Sequence, residues 1–293
     1  MNNPITPSPK VSIVIVLADS GPFTRECVEH ALLSPLPVEV IVVDNASSDG
    51  VPQAIDRAYA DDSRVRVMYN GANLGFGPAM NRGVATANGE SVLILNPDCL
   101  LEADTLPRML AYIGPRTGIV GAVVCDNQGV PDPASRRRDP LLARAINTMT
   151  GRDRDDARYP GVNIPGPLPD GPERVEAVSG AIMLLPRKVF AELHGFDETY
   201  FLHCEDLDLC RRARDAGYEV ILAGDVRVLH GKGGSSRHRP VFVSRFKHRG
   251  MWRWFRLHDP AARKPLVAAV VWLGIWAHFV VRIPGQLWRL ARR

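Results

Sequence analysis

Short, nearly unbroken apolar runs alternate with segments of helical length through the first hundred positions. Val11–Leu17 (VSIVIVL), Val38–Val43 (VEVIVV), Val65–Tyr69 and Ser91–Leu95 (SVLIL) are rich in β-branched residues and read as strands. Their apolar character is continuous rather than alternating, as expected of parallel strands covered on both faces. The segments between them, at roughly 22–33, 51–60 and 76–88, carry helical patterning. A β-α-β-α-β-α-β order predicts an α/β fold on a doubly wound, mostly parallel central sheet. In such sheets ligands bind beyond the carboxyl ends of the strands, so the residues that follow each strand carry the chemistry.

Farther along, Gly118–Cys125 and Val175–Leu185 (VEAVSGAIMLL) predict strands, the second followed by a short helix at Arg187–His194. Asp206–Ala216 predicts a helix that Gly217 ends, and Val226–Leu229 a further strand. Between these, residues 129–172 hold 13 Pro and Gly among 44 positions and seven Arg, including the run Arg136–Arg138. No periodicity survives there, which predicts a long, partly mobile loop or insertion.

The strand exits are polar. Asp44-Asn45-Ala46-Ser47-Ser48-Asp49-Gly50 follows the second strand, Asn70–Gly77 the third and Asn96-Pro97-Asp98 the fourth. An acid such as Asp44 at a strand tip can accept hydrogen bonds from a base or ribose, or cap the next turn; Asn45 and Ser47 read as turn chemistry. Asp98 offers the oxygen ligand that Mg²⁺ or Mn²⁺ prefers, or else starts a helix, a role open to Asp104 as well. Glu205, Asp206 and Asp208 crowd one helix start, where the dipole favours acids. Tyr200 and Phe201 precede them, and an acid at such a terminus beside a pocket is a candidate general base, Asp206 first. His230 ends a strand and leads into Gly231-Lys232-Gly233-Gly234-Ser235-Ser236-Arg237, a Gly-rich turn whose amides and Lys232 suit a phosphate.

Charge divides the chain. The net charge of +4 sums −9 over residues 1–230 and +13 over 231–293, where fourteen Lys and Arg face one acid, Asp259. All five Trp lie in that basic end. Leu266–Val281 is an apolar run of 16 residues flanked by Arg263-Lys264 and Arg282, short of the about 20 that span a bilayer. The tail is either a helix hairpin packed on the body or an interfacial or re-entrant hairpin, with Trp at headgroup level and cations on anionic lipid. No recognised nucleic-acid motif accompanies it, so no nucleic-acid partner is expected. The five cysteines are odd in number and lack a Cys-x-x-Cys pair, which argues for reduced thiols in a cytosolic compartment. The polar, Pro-rich N-terminus does not read as a signal peptide. With 45% hydrophobic and 23% charged residues, a disordered chain, a collagen-like fibre and a multispanning membrane protein are excluded.

Taken in order, VSIVIVL, VVDNASSDG, NxGFGPAMNRG (Asn73 to Gly83), LILNPDC, VSGAIMLLPRKVF, His194-Gly195-Phe196-Asp197-Glu198, FLHCEDLDLCRRARDAGY and VLHGKGGSS resemble the family 2 glycosyltransferases of the GT-A fold. The resemblance covers roughly residues 11–237, and the Asn-Pro-Asp and Glu-Asp-x-Asp-Leu forms look most like the rhamnosyltransferase branch. It implies a GT-A nucleotide-sugar domain over 1–240 and a basic, Trp-rich helical extension over 241–293. It further implies that Asp44, with Asn73 and Lys232, contacts the donor, that Asp98 and His230 hold Mg²⁺ or Mn²⁺, and that Asp206 is the catalytic base. Two departures stand out: Asn96 replaces the first acid of the metal motif, and Leu17-Ala18-Asp19-Ser20 replaces the usual first-strand exit.

The implied reaction is inverting transfer from a nucleoside-diphosphate sugar to a lipid-linked or polysaccharide acceptor at the cytoplasmic face of a cell membrane. The competing readings are a transferase of the same fold with a soluble or protein acceptor, and a non-catalytic nucleotide-sugar binder. Intact Asp98, Asp206 and His230 argue against the last of these.

Overall fold

The computed structural model describes residues 10–231 and 239–291. Strands β1 (Val11–Leu17), β2 (Val38–Asp44), β3 (Val65–Tyr69) and β4 (Ser91–Leu95) pair in parallel in the order β3-β2-β1-β4. Helices α1 (Phe23–Ala31), α2 (Val51–Ala58) and α3 (Phe76–Ala85) connect them. Every residue of β1 is buried, and its alternate side chains enter two different cores. Val14 and Val16 pack with Ile41, Val43 and the α3 side chains Ala79 and Met80, whereas Ile13 and Ile15 pack with Val28 of α1 and Ile55 of α2. A strand buried on both faces has no polar alternation to show, which is why these runs were legible.

The sheet continues through β8 (Ile182–Pro186), antiparallel to both β4 and β6 (Thr117–Cys125), and then through β9 (Glu219–His230), parallel to β6. The two-residue β5 (Cys99–Leu100) and the short β7 (Pro172–Arg174) each pair antiparallel to β9. The sheet is thus mixed but mostly parallel. Because β8 runs opposite to its neighbours, its first residues lie at the same edge as the carboxyl ends of β1, β2, β4, β6 and β9.

Several expectations shift. The predicted strand at Val175–Leu185 is regular only from Ile182; ahead of it Ala177 bridges to Arg137, and the Val175 amide donates to the Val220 carbonyl of β9. The Val226–Leu229 strand is the end of the longer β9. Residues 129–172, expected as a long loop or insertion, hold regular elements: a 3-10 turn at Pro133–Ser135 and the helices α5 (Leu142–Thr150) and α6 (Arg152–Asp155). Arginine, not apolar periodicity, fixes this strap. Arg136 forms a two-bonded pair with Glu173 at 2.6 and 2.7 Å, and the Arg138 Nη1 donates to the Asn163 carbonyl at 3.1 Å. Asp139, nearly inaccessible, receives Arg214 at 2.5 Å and Arg211 at 3.1 Å from α8 (Glu205–Asp215).

The basic tail forms α9 (Pro240–His258) and α10 (Pro265–Ala291). The first belongs to the body: Trp254 is fully buried in the main core, His258 bonds Asp208 at 2.8 Å, and Arg253 bonds Asp197 at 2.5 Å. The second packs on the body along one side only, through Ala268 and a His278–His248 bond at 2.9 Å. It is 27 residues long, with mean hydropathy 2.0 across Pro265–Trp288, and Leu266, Val270, Leu273, Val280 and Val281 all face outward.

Replacing Asp139 by Ala leaves two partly buried guanidinium groups facing each other across an emptied site. We expect a loss of about 2 kcal/mol or more in urea unfolding of the full chain. An unchanged midpoint would show that the strap does not depend on this carboxylate.

Candidate active site

Four loops meet at the edge where the strands end, and side chains lace them together. Asp19, held at φ 54°, accepts from the Ser48 amide and hydroxyl at 2.6 and 2.9 Å, and Asp49 accepts from the Gly21 amide at 3.0 Å. The hydrogen bond from the Ser48 amide is the main influence lowering the Asp19 pKa. Asp44, 3% exposed, accepts from the Ser47 amide at 2.9 Å, so it does shape its own turn while its carboxyl sits at the tip of β2. Asn45 does more than the turn chemistry expected of it. Its amide donates to Asn73 Oδ1 and the Gly75 carbonyl, both at 3.0 Å, and its Oδ1 accepts from Asn70 at 3.2 Å and the Leu74 amide at 3.0 Å. Asn73 is exposed, with Oδ1 committed to this loop.

Gly75 is required where this loop turns into α3. Its φ is 94°, and a Cβ there would lie 2.5 Å from the Phe201 carbonyl oxygen, which accepts the Phe76 amide at 2.8 Å. The close approach fixes the Tyr200–Cys204 segment, where His203 and Cys204 are themselves left-handed at φ 68° and 73°. That turn delivers the acidic start of α8.

The second half of the site comes from the pairing of β5 with β9. Cys99 lies opposite His230, and the Gly231 amide donates to the Asp98 carbonyl at 2.8 Å. This register sets His230 Nε2 3.0 Å from Asp98 Oδ1, with the Asn96 amide 3.3 Å from the same ring nitrogen. Asp98 therefore opens a strand rather than a helix; Asp104 takes the N-cap position of α4 (Thr105–Leu110). The Cys99 thiol lies within the same cluster, but burial pushes its pKa well up and keeps it protonated. The hard donors present are thus one carboxylate, one imidazole and a neighbouring amide.

The two halves share one piece of backbone. The Ala181 carbonyl accepts the Asn96 amide at 2.9 Å, and the Gly180 amide donates to Asp206 Oδ2 at 3.1 Å. A Cβ on Gly180 would stand 2.9 Å from the Asp206 Cβ, so only glycine lets α8 approach this closely. Asp206 Oδ2 also receives Arg137 Nη2 at 2.5 Å, and Arg137 comes from the strap. Burial raises the pKa of Asp206, but the charge and hydrogen bond of Arg137 outweigh it and hold the carboxyl below its usual range. For Glu205, burial and the adjacent Asp206 charge act together and push the pKa up; its Oε2 is buried with no hydrogen-bond partner. Asp208, the third acid, is taken by Arg212 and His258 and has a structural role.

Asp44, Asp98, His230 and Asp206 therefore gather at one edge, with Asn73 on its rim. Lys232 lies outside the described residues, whose flanking ends are Gly231 beside Asp98 and Arg239, whose charge reaches Asp19. Sequence reasoning missed Arg137, although it had noted the arginine run that contains it.

Residues 12–167 match the profile of Glycosyl transferase family 2. The chain is 30% identical over 267 residues to an N-acetylglucosaminyl-diphospho-decaprenol L-rhamnosyltransferase of Mycobacterium tuberculosis, covering 82% of this chain and 86% of that protein. It is 22% identical to the rhamnosyltransferase WbbL of Escherichia coli, over 66% of this chain and 83% of that one. Among solved structures, the mannosyltransferase PcManGT of Pyrobaculum calidifontis, in complex with GDP-Man and Mn²⁺, superposes with a TM-score of 0.60 at 18% identity, over 98% of this chain and 75% of that one. S. aureus TarS in complex with UDP-GlcNAc gives 0.55 at 17% identity, over 96% and 83%.

The buried Glu205 generates a prediction with a defined sign. Folded Glu205 keeps its proton to higher pH than the unfolded chain does, so its contribution is lost as pH rises above about 4.3. Glu205→Gln is expected to match wild type near about pH 4 and to exceed its stability near about pH 7. Equal stability curves at both pH values would mean that Glu205 is not held protonated.

Proposed function

The chain belongs to glycosyl transferase family 2, and we propose that it transfers a sugar, L-rhamnose first, from a nucleoside-diphosphate donor to a lipid-linked or cell-surface glycan acceptor, with inversion. It is a glycosyltransferase with the GT-A fold. The observation that carries the proposal is that Ala181 holds Asn96, in the turn that bears the Asp98–His230 pair, while the adjacent Gly180 holds Asp206.

In this reading Asp44 meets the base or ribose at the tip of β2, and Asn73 and Lys232 add donor contacts. Asp98 and His230, with Asn96 beside them, fit a divalent cation: hard oxygen and nitrogen donors stand together at the strand ends. Mg²⁺ or Mn²⁺ bound there would supply positive charge to the departing diphosphate. Asp206 accepts the acceptor hydroxyl's proton as that oxygen bonds to the anomeric carbon. The bond from that carbon to the diphosphate oxygen breaks, and its electron pair leaves with the nucleoside diphosphate. One base is enough for this direct displacement, whereas glycoside hydrolysis uses two carboxylates flanking the bond.

The lipid-linked acceptor is supported by the name of the mycobacterial relative and by α10. That helix is apolar on its outward face as well as on the face against α9, so packing on the body leaves a broad apolar surface uncovered. The sequence from residue 231 onward carries +13, and cations near an anionic leaflet contribute about 1 kcal/mol each. In this reading the enzyme works at the cytoplasmic face of a membrane, with its cleft toward a membrane-borne acceptor.

Two measurements test this. A screen of nucleotide sugars against polyprenyl-diphosphate-linked acceptors should find a donor, with transfer lost on adding EDTA and restored by Mn²⁺ or Mg²⁺. With that donor, Asp206→Asn should lose about 100-fold or more in transfer while binding the donor as wild type does; near wild-type transfer would remove Asp206 as the base. Separately, the full chain should sediment with membranes, and a chain ending at Lys264, which retains α9, should not. Full chain recovered in the soluble fraction at low salt would contradict the membrane assignment.

A further inference from the structure

We propose that Arg137 is a positioning residue for transfer: it pins one oxygen of Asp206 and makes that carboxylate, not Glu205, the anion that receives the acceptor's proton. The inference rests on Asp206 being the base. Its starting point is geometric. The guanidinium is 13% exposed and comes not from α8 or the sheet beside it but from the strap, through a backbone bridge in which Arg137 and Ala177 exchange both hydrogen bonds at 3.0 Å. Nη2 reaches Asp206 Oδ2 and the Val178 carbonyl, each at 2.5 Å.

Oδ2 therefore has two donors, Arg137 and the Gly180 amide. Oδ1 has the Leu207 amide of its own helix at 2.8 Å and keeps a lone pair for an incoming hydroxyl. An arginine placed only to satisfy its own donors would not leave Nε buried without a partner, as Arg137 does. The one carboxylate oxygen its guanidinium bonds is Asp206 Oδ2.

The need for such a device lies one residue away. Glu205 and Asp206 are consecutive carboxyl groups in a dry pocket, where like charges disfavour double ionisation. One of them carries a proton; the Gly180 and Leu207 amides already favour the charge on Asp206, and Arg137 adds the only full positive charge bonded to the pair among the described residues. The other titratable groups facing the pair do not make that choice. His203 is pushed down to about 4 by burial, with Lys247 adding to the effect, and so is neutral. The thiols of Cys204 and Cys210 are pushed up by burial and remain protonated. Lys247 of α9 is exposed, and among the described residues no hydrogen bond or ion pair joins it to either carboxyl. Of the two acids Arg137 hydrogen-bonds only Asp206, so the proton goes to Glu205 and the charge stays at the cleft.

The test is a pH titration of carboxyl-¹³C-labelled full chain by NMR, with Asp206→Asn and Glu205→Gln used to assign the two signals. Wild type should show Asp206 titrating below, and Glu205 above, the ordinary carboxylate range. In Arg137→Gln the Asp206 midpoint should rise by about one to three units. Arg137→Lys keeps the charge but loses the planar Nη2 that bonds Asp206 and the Val178 carbonyl together, and should fall between; it also stands in if the Gln variant does not fold. With the donor that wild type turns over, the acid limb of kcat should move up with the NMR midpoint, while donor KM stays within about twofold. An unmoved Asp206 midpoint in both variants overturns the proposal, and so does a moved midpoint with an unmoved acid limb. Should wild type use no nucleotide sugar, the functional reading fails, and the titration still decides whether Arg137 sets the charge on Asp206.

Discussion

Two backbone groups at the start of β8, the Gly180 N–H and the Ala181 C=O, hold the loops on which the chemistry depends. One anchors Asp206 at the head of α8 and the other anchors Asn96 in the turn that carries Asp98. They can do both because β8 runs against its neighbours, which brings its first residues to the edge where the parallel strands end. A parallel strand at this place would enter the sheet from the far edge and leave the two acids without a common support. Glycine at 180 is the steric condition, since any side chain would collide with Asp206. The spacing of the two carboxylates is thus a property of strand direction and one missing Cβ.

Around this point the protein uses two kinds of order. The sheet is held by apolar burial on both faces, and its strands could be read directly from VSIVIVL, VEVIVV and SVLIL. The strap is held by Arg136, Arg138 and Asp139 through charged hydrogen bonds to partners 25 to 75 positions away. Such pairs leave no periodic trace, and the Pro and Gly that let the strap turn suggest a loop with no fixed path. That is why residues 129–172 were expected to be irregular, and why Arg137 escaped notice inside a run of arginines. For the same reason the strand expected from Val175 begins only at Ile182: Ala177 pairs with the strap instead of the sheet.

The acidic strand exits were legible because a doubly wound sheet gathers them in a known place. Asp44, Asp98 and His230 do stand at strand ends on that edge, Asp98 and His230 3.0 Å apart, and Gly180 ties Asp206 to it. What the sequence concealed was their local company. Nothing near Asn45 announces that it satisfies four hydrogen bonds between two loops, and nothing near Glu205 distinguishes a buried, unpartnered acid from the solvated helix-start acids it resembles. The tail divides in a similar way. Its charge and Trp content set it apart as one unit, yet Trp254 and His258 build α9 into the body and leave α10 as the exposed apolar element. Composition averages over a helical hairpin whose two arms meet different surroundings.

The account stands on the Asp98–His230 pair and Asp206 serving one reacting centre. A crystal structure of the full chain with a nucleoside diphosphate and Mn²⁺ tests this most directly. The account predicts anomalous density for the metal within coordinating distance of Asp98 and His230, the base or ribose at Asp44, and the terminal phosphate turned toward Asp206. Metal and diphosphate bound away from the Asn96–Asp98 turn, or a terminal phosphate pointing out of the cleft that Asp206 borders, would contradict it.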